Sequence, residues 1–454
     1  MNKKEFLGTE SVGKLLLKLS VPSVAAMLIN MLYNIVDRIF IGHIPLEGSL
    51  ALTGVGVCMP VILLVSAFAS LVGSGGAPRA SIFMGQGDYD KAERTLGVCT
   101  SFQLLLSFIL TAILLIFNRP ILLSFGASEN TIDHAAAYMG IYALGTVFVQ
   151  LTLGLNAFIT AQGRTKDSML AVGAGALCNL ILDPIFIFVF GLGVRGAALA
   201  TVLSQMLSCF ICLRFLRQES STLRLKKENL RLDMKLMAPC LALGMASFIM
   251  QGSESIIAVC FNSSLLKYGG DIAVGAMTIC TSAFQFAMLP MQGVAQGSQP
   301  IISYNYGAGN PDRVKKTFFL LLAVCMIYAT LFWLVLMLIP GFFAGIFTPD
   351  EALRSFAASA LRIYGGAILL MGIQNACQIA FVSLGKAGCS ILVAVARKFI
   401  LLLPLIYLLP AIFENKTMAV YAAEPVADVL AVCFTSVLFF FQFRKALREM
   451  KTAK

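Results

Sequence analysis

Charged residues are scarce in this sequence: Asp, Glu, Lys and Arg together make up only 13% of its 454 residues. Hydrophobic residues make up 58%, and the mean hydropathy is +0.86. A soluble protein of this length has no use for so much apolar surface, so the soluble classes are excluded. Repeated apolar runs of about 20 residues instead predict a polytopic membrane protein.

Histidine is nearly absent, with two residues in the whole chain. A membrane-embedded enzyme needs an intramembrane His, Ser-His or metal constellation, whereas His43 and His134 fall in short predicted connections. The twelve cysteines lie almost entirely inside apolar runs, where cysteine behaves as a small hydrophobic residue. We therefore expect no enzyme activity, no cofactor and no Cys/His metal site.

Alternating hydrophobicity is also missing, which excludes a membrane β-barrel. The net charge of +11 is compatible with nucleic-acid binding, but the basic residues lie in short loops between apolar runs. Membrane orientation explains that placement better, so no nucleic-acid partner is expected. The first apolar run is too long for a cleavable signal peptide and is followed by many more.

The apolar runs predict an all-α membrane protein with twelve transmembrane helices. The predicted spans are 14–40, 51–73, 95–117, 134–158, 166–190, 195–217, 235–261, 271–294, 317–340, 355–380, 388–411 and 419–443. With the N-terminus inside, 25 Lys and Arg residues fall in inner segments and seven in outer ones. Basic residues concentrate on the cytoplasmic side, so both termini are predicted to be cytoplasmic.

An internal repeat divides the chain into two lobes. Pro78, Gly85 and Gly87 recur 222 residues later as Pro300, Gly307 and Gly309, and other matches recur in the same order. The predicted lobes are 1–217 and 235–454, joined by a cytoplasmic linker at 218–234. Six spans per lobe is an even number, so the lobes are related by a pseudo-two-fold axis along the membrane normal and enclose a central cleft.

Glycines cluster at 73–87 and 305–310, near the inner ends of spans 2 and 8. Neither cluster follows a strand or opens a phosphate-binding signature. We therefore expect tight turns between spans at both places.

Three polar residues of the first lobe, Asp37, Asp183 and Thr201, are predicted to lie at a similar depth in the outer half of the membrane, with Asn179 one turn deeper. A charged group near the centre of a span costs roughly 2.5–3.5 kcal/mol on insertion scales, so such a group is functional by default. Two carboxylates, a carboxamide and a hydroxyl predict a coupling site for Na⁺ or a proton. A site in the outer half of the lobe suits inward ion flow that drives export.

Structural alternatives remain open for several of these residues. One alternative pairs Asp37 with Arg38 at the interface, and another bonds Thr201 to its own helix backbone. Glu254 belongs to a polar face of span 7. Arg397 and Lys398, inside span 11, either neutralise an acid or extend to the interface, and the sequence does not decide between these.

Other polar residues are predicted to face the interior of the lobes and the substrate cavity. They are Asn34, Gln150, Asn156, Glu254, Gln285, Gln292, Gln374 and Arg397. The chain is rich in Met and Phe, with 20 and 34 residues. Adaptable apolar walls with a few acids suit bulky hydrophobic cations, although composition alone does not identify a substrate.

These motifs together resemble the multidrug and toxic compound extrusion (MATE) family, and its prokaryotic DinF/MepA-like branch in particular. The resemblance covers nearly the whole chain and is carried by Pro22 and Asp37, Gly75-Gly-Ala-Pro78 to Gly87, Asn156 to Gly163, Asn179-x-x-x-Asp183-Pro184, Gly193 to Thr201, Pro300 to Gly307, and Ala423-x-Pro425-x-x-Asp428.

The resemblance implies secondary antiporters of the bacterial cytoplasmic membrane that expel organic cations against inward Na⁺ or H⁺. It implies coupling residues at Asp37, Asn179, Asp183 and Thr201, with the backbone carbonyl of Ala197, and a cavity lined by Asn156. Glu254 matches an acid emphasised in another branch of the family. Span 10 carries no Asp or Glu over 363–380, which favours a site in the first lobe.

Two transport hypotheses therefore stand beside each other. The first is an ion-coupled exporter of cationic, amphipathic drugs, acting as a monomer among membrane lipids. The second is a flippase for lipid-linked precursors, as in related two-lobed exporters. A flippase requires cationic residues in the cleft for a pyrophosphate, and only Arg397 and Lys398 qualify. A channel fits two unlike lobes less well than a carrier.

Overall fold

The computed structural model describes residues 6–45 and 48–452. Every regular element in these residues is a helix, which confirms the predicted all-α class. Helices satisfy their own backbone hydrogen bonds, as a lipid environment requires. Large apolar side chains such as Phe108, Ile327 and Val437 are exposed on the surface, as expected for a lipid-facing belt.

The described residues form twelve membrane-crossing segments, which we number spans 1 to 12 in chain order. Spans 1 to 6 are Val12–Gly42, Gly48–Gly85, Tyr89–Ile116, Ile132–Ala161, Thr165–Pro184 with Ile185–Val189, and Gly193–Arg217. Spans 7 and 8 form Met234–Gly307; span 9 is Pro311–Leu338; span 10 is Glu351–Tyr364 with Ile368–Leu370 and Met371–Ser383; span 11 is Ala387–Val395 with Ala396–Leu402 and Leu403–Ile412; span 12 is Lys416–Thr452.

The segment Met234–Gly307 counts as two spans because it reverses at Gly270. A straight helix of its 74 residues would be about 110 Å long, several times the hydrocarbon thickness. Gly270 has φ 65° and ψ −163°, a conformation that ends the first helix and starts the second. Span 10 is also bent, by 43° between its two main helices.

In the part of the chain that the structure describes, four short helices lie outside the spans: Phe6–Thr9, Asn118–Ser124, Lys227–Asn229 and Pro340–Phe347. Three consecutive backbone amides of the linker, at residues 222–224, donate hydrogen bonds to side chains that precede the linker in the chain. The backbone N–H groups of Thr222 and Leu223 donate to Gln162 at 2.9 and 3.1 Å, and that of Arg224 donates to Glu93 at 3.1 Å. This part of the linker is therefore docked on spans 3 and 4.

We call spans 1–6 the N-half, spans 7–12 the C-half, and the end of the bundle where span 1 begins the termini end. At the termini end one apolar core includes Leu155 and Phe158 of the N-half with Met237, Cys240 and Ile301 of the C-half. At the opposite end each half has its own core, one built only from N-half residues and one only from C-half residues. The halves are thus joined at one end.

The two halves meet at the glycine clusters. The tight turns predicted over 73–87 and 305–310 are confined to the last residues of each range, where Gly87 and Gly309 have φ 82° and 66°; the rest of each range is helix. Span 2 continues as helix to Gly85 and span 8 to Gly307. A Cβ on Gly85 would overlap the backbone of Tyr304, and one on Gly307 would overlap the backbone of Ile82. Glycine is required there because the two helices touch backbone to backbone, not because the chain turns.

The same close contact continues deeper, where Gly75 faces the carbonyl of Cys240 and Gly244 faces that of Leu71. Beyond it, Gln251 Nε2 donates to Ser70 Oγ at 2.8 Å. Within residues 6–45 and 48–452, the hydrogen bonds and close glycine contacts between the halves all lie between the termini end and this pair. Beyond Gln251 the halves separate, and we call the space between them the cleft.

Candidate functional site

Asp37 of span 1 and Asp183 of span 5 meet inside the N-half. Their carboxyl groups lie within hydrogen-bonding distance of each other. Asp183 is completely buried and Asp37 is 7% exposed. Two helices must approach closely to make this contact, and spans 1 and 5 pack along each other. A single buried polar cluster therefore contains both acids.

Asn179 holds Asp183 in place. Its Nδ2 donates to Asp183 Oδ1 at 3.2 Å, and its side chain is 2% exposed. The two residues are four positions apart and so lie one above the other on the same helix face. The helix changes directly after Asp183: Pro184 ends the α-helix and Ile185–Val189 continue as a π-helix. Single-turn π segments of this kind occur frequently at functional sites.

Each acid retains one buried oxygen without a protein partner. Asp37 Oδ1 and Asp183 Oδ2 are both buried and make no hydrogen bond to the described residues. Buried polar atoms are normally satisfied, so these two oxygens are suited to bind a small cation or a water molecule. Two contacting carboxylates also repel unless a proton or a cation lies between them. The donor set, carboxylate and carboxamide oxygens, is one that a hard monovalent cation accepts.

Thr201 and Ala197 of span 6 border this cluster. Thr201 is half-buried and lies beside Tyr138 of span 4, whose ring is near Asp37. Ala197 is fully buried one turn before Thr201. The structure thus brings Asp37, Asn179 and Asp183 into direct contact and reaches Thr201 through Tyr138. Arg38 is exposed and near enough to act on Asp37 electrostatically, but the contact partner of Asp37 is Asp183.

Three residues of the cluster are absent from the sequence prediction: Tyr33, Tyr138 and Gln205. Tyr33 lies beside Asn34 and Gln205 and near both acids. Helical spacing would have identified two of them, because Tyr33 precedes Asp37 by four residues and Gln205 follows Thr201 by four. Tyr138 has no such signal, since only the packing of span 4 brings it to the cluster.

A second set of charges lies in the C-half. Arg397 Nε donates to Asp428 Oδ1 at 2.8 Å, and Arg397 Nη2 donates to Glu424 Oε1 at 3.2 Å. Lys398 Nζ donates to Glu254 Oε1 at 2.7 Å. Both bases therefore neutralise acids, which decides between the two roles left open for them. Glu424 was missed, although its spacing of four from Asp428 places both on one face of span 12.

The predicted cavity residues divide into two groups. Asn34, Glu254, Gln285 and Gln292 are exposed and Asn156 is half-buried. The other three are not on an open surface: Gln150 is fully buried, Gln374 is 4% exposed and Arg397 is 2% exposed. Gln150 Nε2 donates to the carbonyl of Val65 at 2.7 Å, so it joins spans 4 and 2. Polarity alone did not separate cleft residues from residues that join helices.

Among solved structures, the fold is similar to the crystal structure of MATE in the bent conformation, with a TM-score of 0.92, 20% identity and 99% of both chains covered. It is also similar to the outward-facing conformation of a multidrug resistance MATE family transporter of the MOP superfamily, with a TM-score of 0.91, 21% identity and 98% and 99% of the two chains covered. At these identities the likeness shows a shared fold.

Among curated proteins, the chain is similar to the multidrug export protein MepA of Staphylococcus haemolyticus (strain JCSC1435), with 26% identity over 93% of both chains. The same protein from Staphylococcus aureus (strain N315) is 26% identical over 88% of each. The MatE family model matches twice, over 22–185 and 245–408, once in each half of the repeat. These matches cover most of the sequence, and the chain therefore belongs to the MatE family of multidrug efflux transporters.

Proposed function

We propose that this protein is a secondary active antiporter that exports cationic, amphipathic compounds in exchange for inward Na⁺ or H⁺. The observation that carries the proposal is the contact between Asp37 and Asp183, each with a buried oxygen that has no protein partner. Such a pair favours binding of one small cation, because the two charges are otherwise uncompensated. The proposed coupling site is Asp37, Asn179, Asp183 and Thr201, with the carbonyl of Ala197.

The direction of exchange follows from the proposed topology. With both termini in the cytoplasm of a bacterial cell, the cleft opens to the outside and the halves are closed at the cytoplasmic end. In this conformation the cleft releases cargo outward, and the coupling ion enters the N-half from the outside. Six-span halves around one cleft suit alternating access by movement of one half against the other.

Span 1 connects the ion site to the interface between the halves. It carries Asp37 toward its far end, and near the termini end its Ser20 and Val24 touch Gly297 and Gly293 of span 8. Pro22 lies inside the helix, two residues after Ser20. An internal proline removes one backbone hydrogen bond of the helix, so the helix bends most easily there. A cation that draws Asp37 toward Asp183 thereby favours one position of span 1, and loss of the cation releases it.

The cargo class rests on the cleft and on the relatives. Both Staphylococcus relatives are named multidrug export proteins. Glu254 on span 7 is an exposed carboxylate, and Gln285 and Gln292 are exposed on span 8. An acid beside apolar side chains suits organic cations. The proposal includes no catalytic step and no cofactor, places the protein among membrane lipids as a monomer, and assigns no nucleic-acid role.

The flippase alternative is less well supported. A pyrophosphate headgroup needs unpaired cations on the cleft surface. Arg397 is 2% exposed and bound to two carboxylates, and the Lys398 side chain is 3% exposed and bound to a third. Neither base is available to a phosphate without breaking an internal ion pair.

The direct test is efflux of ethidium from proteoliposomes under separately imposed Na⁺ and pH gradients. We expect wild-type protein to drive ethidium against its gradient with one of the two, and Asp183→Asn and Asp37→Asn to lose that coupling. Asp167→Asn is the matched control, because this acid lies at the start of the same span and pairs with Arg164 at 2.8 Å. Gradient-driven efflux that survives in Asp183→Asn overturns the proposal.

A further inference from the structure

Lys398 is an internal ammonium group paired with an acid that faces the cleft. The Lys398 side chain is 3% exposed, and its Nζ lies 2.7 Å from Glu254 Oε1. The Glu254 side chain is 54% exposed. The pair is therefore asymmetric: the cation is enclosed by protein, whereas half of the carboxylate remains open to an incoming group.

Glu254 lies on the cleft wall, immediately beyond the point where the halves part. It follows Gln251 by three residues, and positions three apart lie on neighbouring parts of a helix face. Gln251 contacts Ser70 of the N-half, so that face of span 7 is turned toward the N-half. An ionised carboxylate exposed to lipid at this depth is strongly disfavoured, which leaves the water-filled cleft as its surroundings.

The two other acids of this group already have an ion-pair partner. Arg397 forms ion pairs with both Glu424 and Asp428, which are 3% and 2% exposed. Within the part of the chain that the structure describes, Glu254 is the carboxylate in ion-pair contact with Lys398. Glu424 is near enough to Lys398 to interact electrostatically. The group contains three acids and two bases, so it carries one negative charge in excess. If another cation binds Glu254, Lys398 still has Glu424 nearby.

We propose that Lys398 pairs with Glu254 at the place where the cationic group of a substrate binds. A cationic substrate then binds in the cleft by displacing Lys398 from Glu254. This inference rests on the proposed export of organic cations and names the residue that sets their affinity. The incoming cation neutralises Glu254 from the open side, and Lys398 turns its charge toward Glu424. After the substrate leaves, Lys398 pairs with Glu254 again.

This exchange makes Lys398 a specificity-determining residue. A substrate cation must displace Lys398 from Glu254, so it binds more weakly than it would bind to an unpaired Glu254. Its release from the cleft is correspondingly easier. A neutral compound of the same shape gains nothing from Glu254 and is indifferent to Lys398. Charge selection therefore comes from the pair, whereas the apolar wall accepts many shapes.

The test is equilibrium binding of tetraphenylphosphonium, a monovalent organic cation, to purified full-length protein in detergent without any gradient. Lys398→Met keeps the apolar length of the side chain and frees Glu254. We expect it to bind tetraphenylphosphonium roughly two- to fivefold more tightly than wild type, the range for release of one half-exposed ion pair. Binding of the neutral analogue triphenylphosphine oxide should not change.

Glu254→Gln with Lys398→Met is the companion variant, because it removes the acid without leaving a buried ammonium unpaired. We expect tetraphenylphosphonium binding to weaken to the level of the neutral analogue. Unchanged or weaker binding by Lys398→Met, with a thermal unfolding midpoint like that of the wild type, overturns the inference. If Lys398→Met is unstable, Lys398→Gln is measured on the same two criteria. These readings use no ion gradient, so they stand apart from the Asp183→Asn efflux result that tests the proposed function.

Discussion

Asp37 of span 1 and Asp183 of span 5 bring their carboxyl groups within hydrogen-bonding distance, and each retains one buried oxygen without a protein partner. This contact joins the first and fifth spans of the N-half inside the membrane. It gives the proposed antiporter a defined place for a coupling cation and a defined helix, span 1, that responds to it.

The amide of Asn179 should strengthen cation binding by fixing Asp183. Asn179→Ala removes the 3.2 Å hydrogen bond to Asp183 Oδ1. A hydrogen bond to a charged group contributes about 1.5–3 kcal/mol, so we expect the ion concentration that gives half-maximal ethidium efflux to rise roughly 10-fold or more. Asn118→Ala serves as control, since this amide lies on the short helix between spans 3 and 4 and donates to the carbonyl of Ala136. An unchanged ion dependence in Asn179→Ala would contradict the assigned role.

The charges of the C-half should behave as one structural unit. Arg397→Met leaves Glu424 and Asp428 buried without a partner, and breaking a buried ion pair in this way costs about 3–5 kcal/mol. We expect a large loss of thermal stability in detergent. The triple variant Arg397→Met, Glu424→Gln, Asp428→Asn removes all three charges and should recover most of it. A stable single variant, or a triple variant no better than the single, would show that the three charges are not coupled.

Much of the fold could be predicted from the sequence, because apolar run length and the distribution of basic residues follow directly from the bilayer. The glycines at 73–85 were misinterpreted because a turn and a helix–helix contact both require glycine. Only the other half, which supplies the backbone of Cys240 and Tyr304, distinguishes the two cases.

The candidate site was predictable to a similar degree. Asn179 and Asp183 share a helix face, so their spacing suffices, whereas Tyr138 joins the cluster through tertiary packing alone. The prediction failed for Gln150 and Gln374. Their polarity suggested that they line a cavity, whereas their burial shows that they are packed between helices.

Closure at the termini end should depend on the missing side chain of Gly244. A Cβ there would overlap the carbonyl of Leu71, so Gly244→Val should force spans 2 and 7 apart. We expect a shift toward a conformation open at the termini end, seen as a longer distance between spin labels placed on Lys91 and Lys315. Gly252→Val is the matched control, because it lies on the same span with open space around it. Equal distances in the two variants would refute the role of this contact.

The short helix Phe6–Thr9 should be released when Arg313 is removed. Arg313 Nη2 donates to the carbonyls of Leu7 and Glu10 at 3.0 and 2.7 Å, so a side chain of the C-half holds the segment that precedes span 1. In Arg313→Ala we expect faster backbone hydrogen exchange over residues 6–11. Lys315→Ala, an exposed neighbour on span 9, should leave the exchange unchanged. Protection of residues 6–11 that persists in Arg313→Ala would mean that other contacts hold the helix.

The measurement that bears most directly on the account is the binding of a single coupling cation to purified protein, followed as ²²Na⁺ retained or protons taken up per chain. The account predicts one cation per wild-type chain, and none at that site in either Asp37→Asn or Asp183→Asn, with Asp167→Asn binding like wild type. One cation still bound by both Asp37→Asn and Asp183→Asn would place the coupling site elsewhere in the molecule.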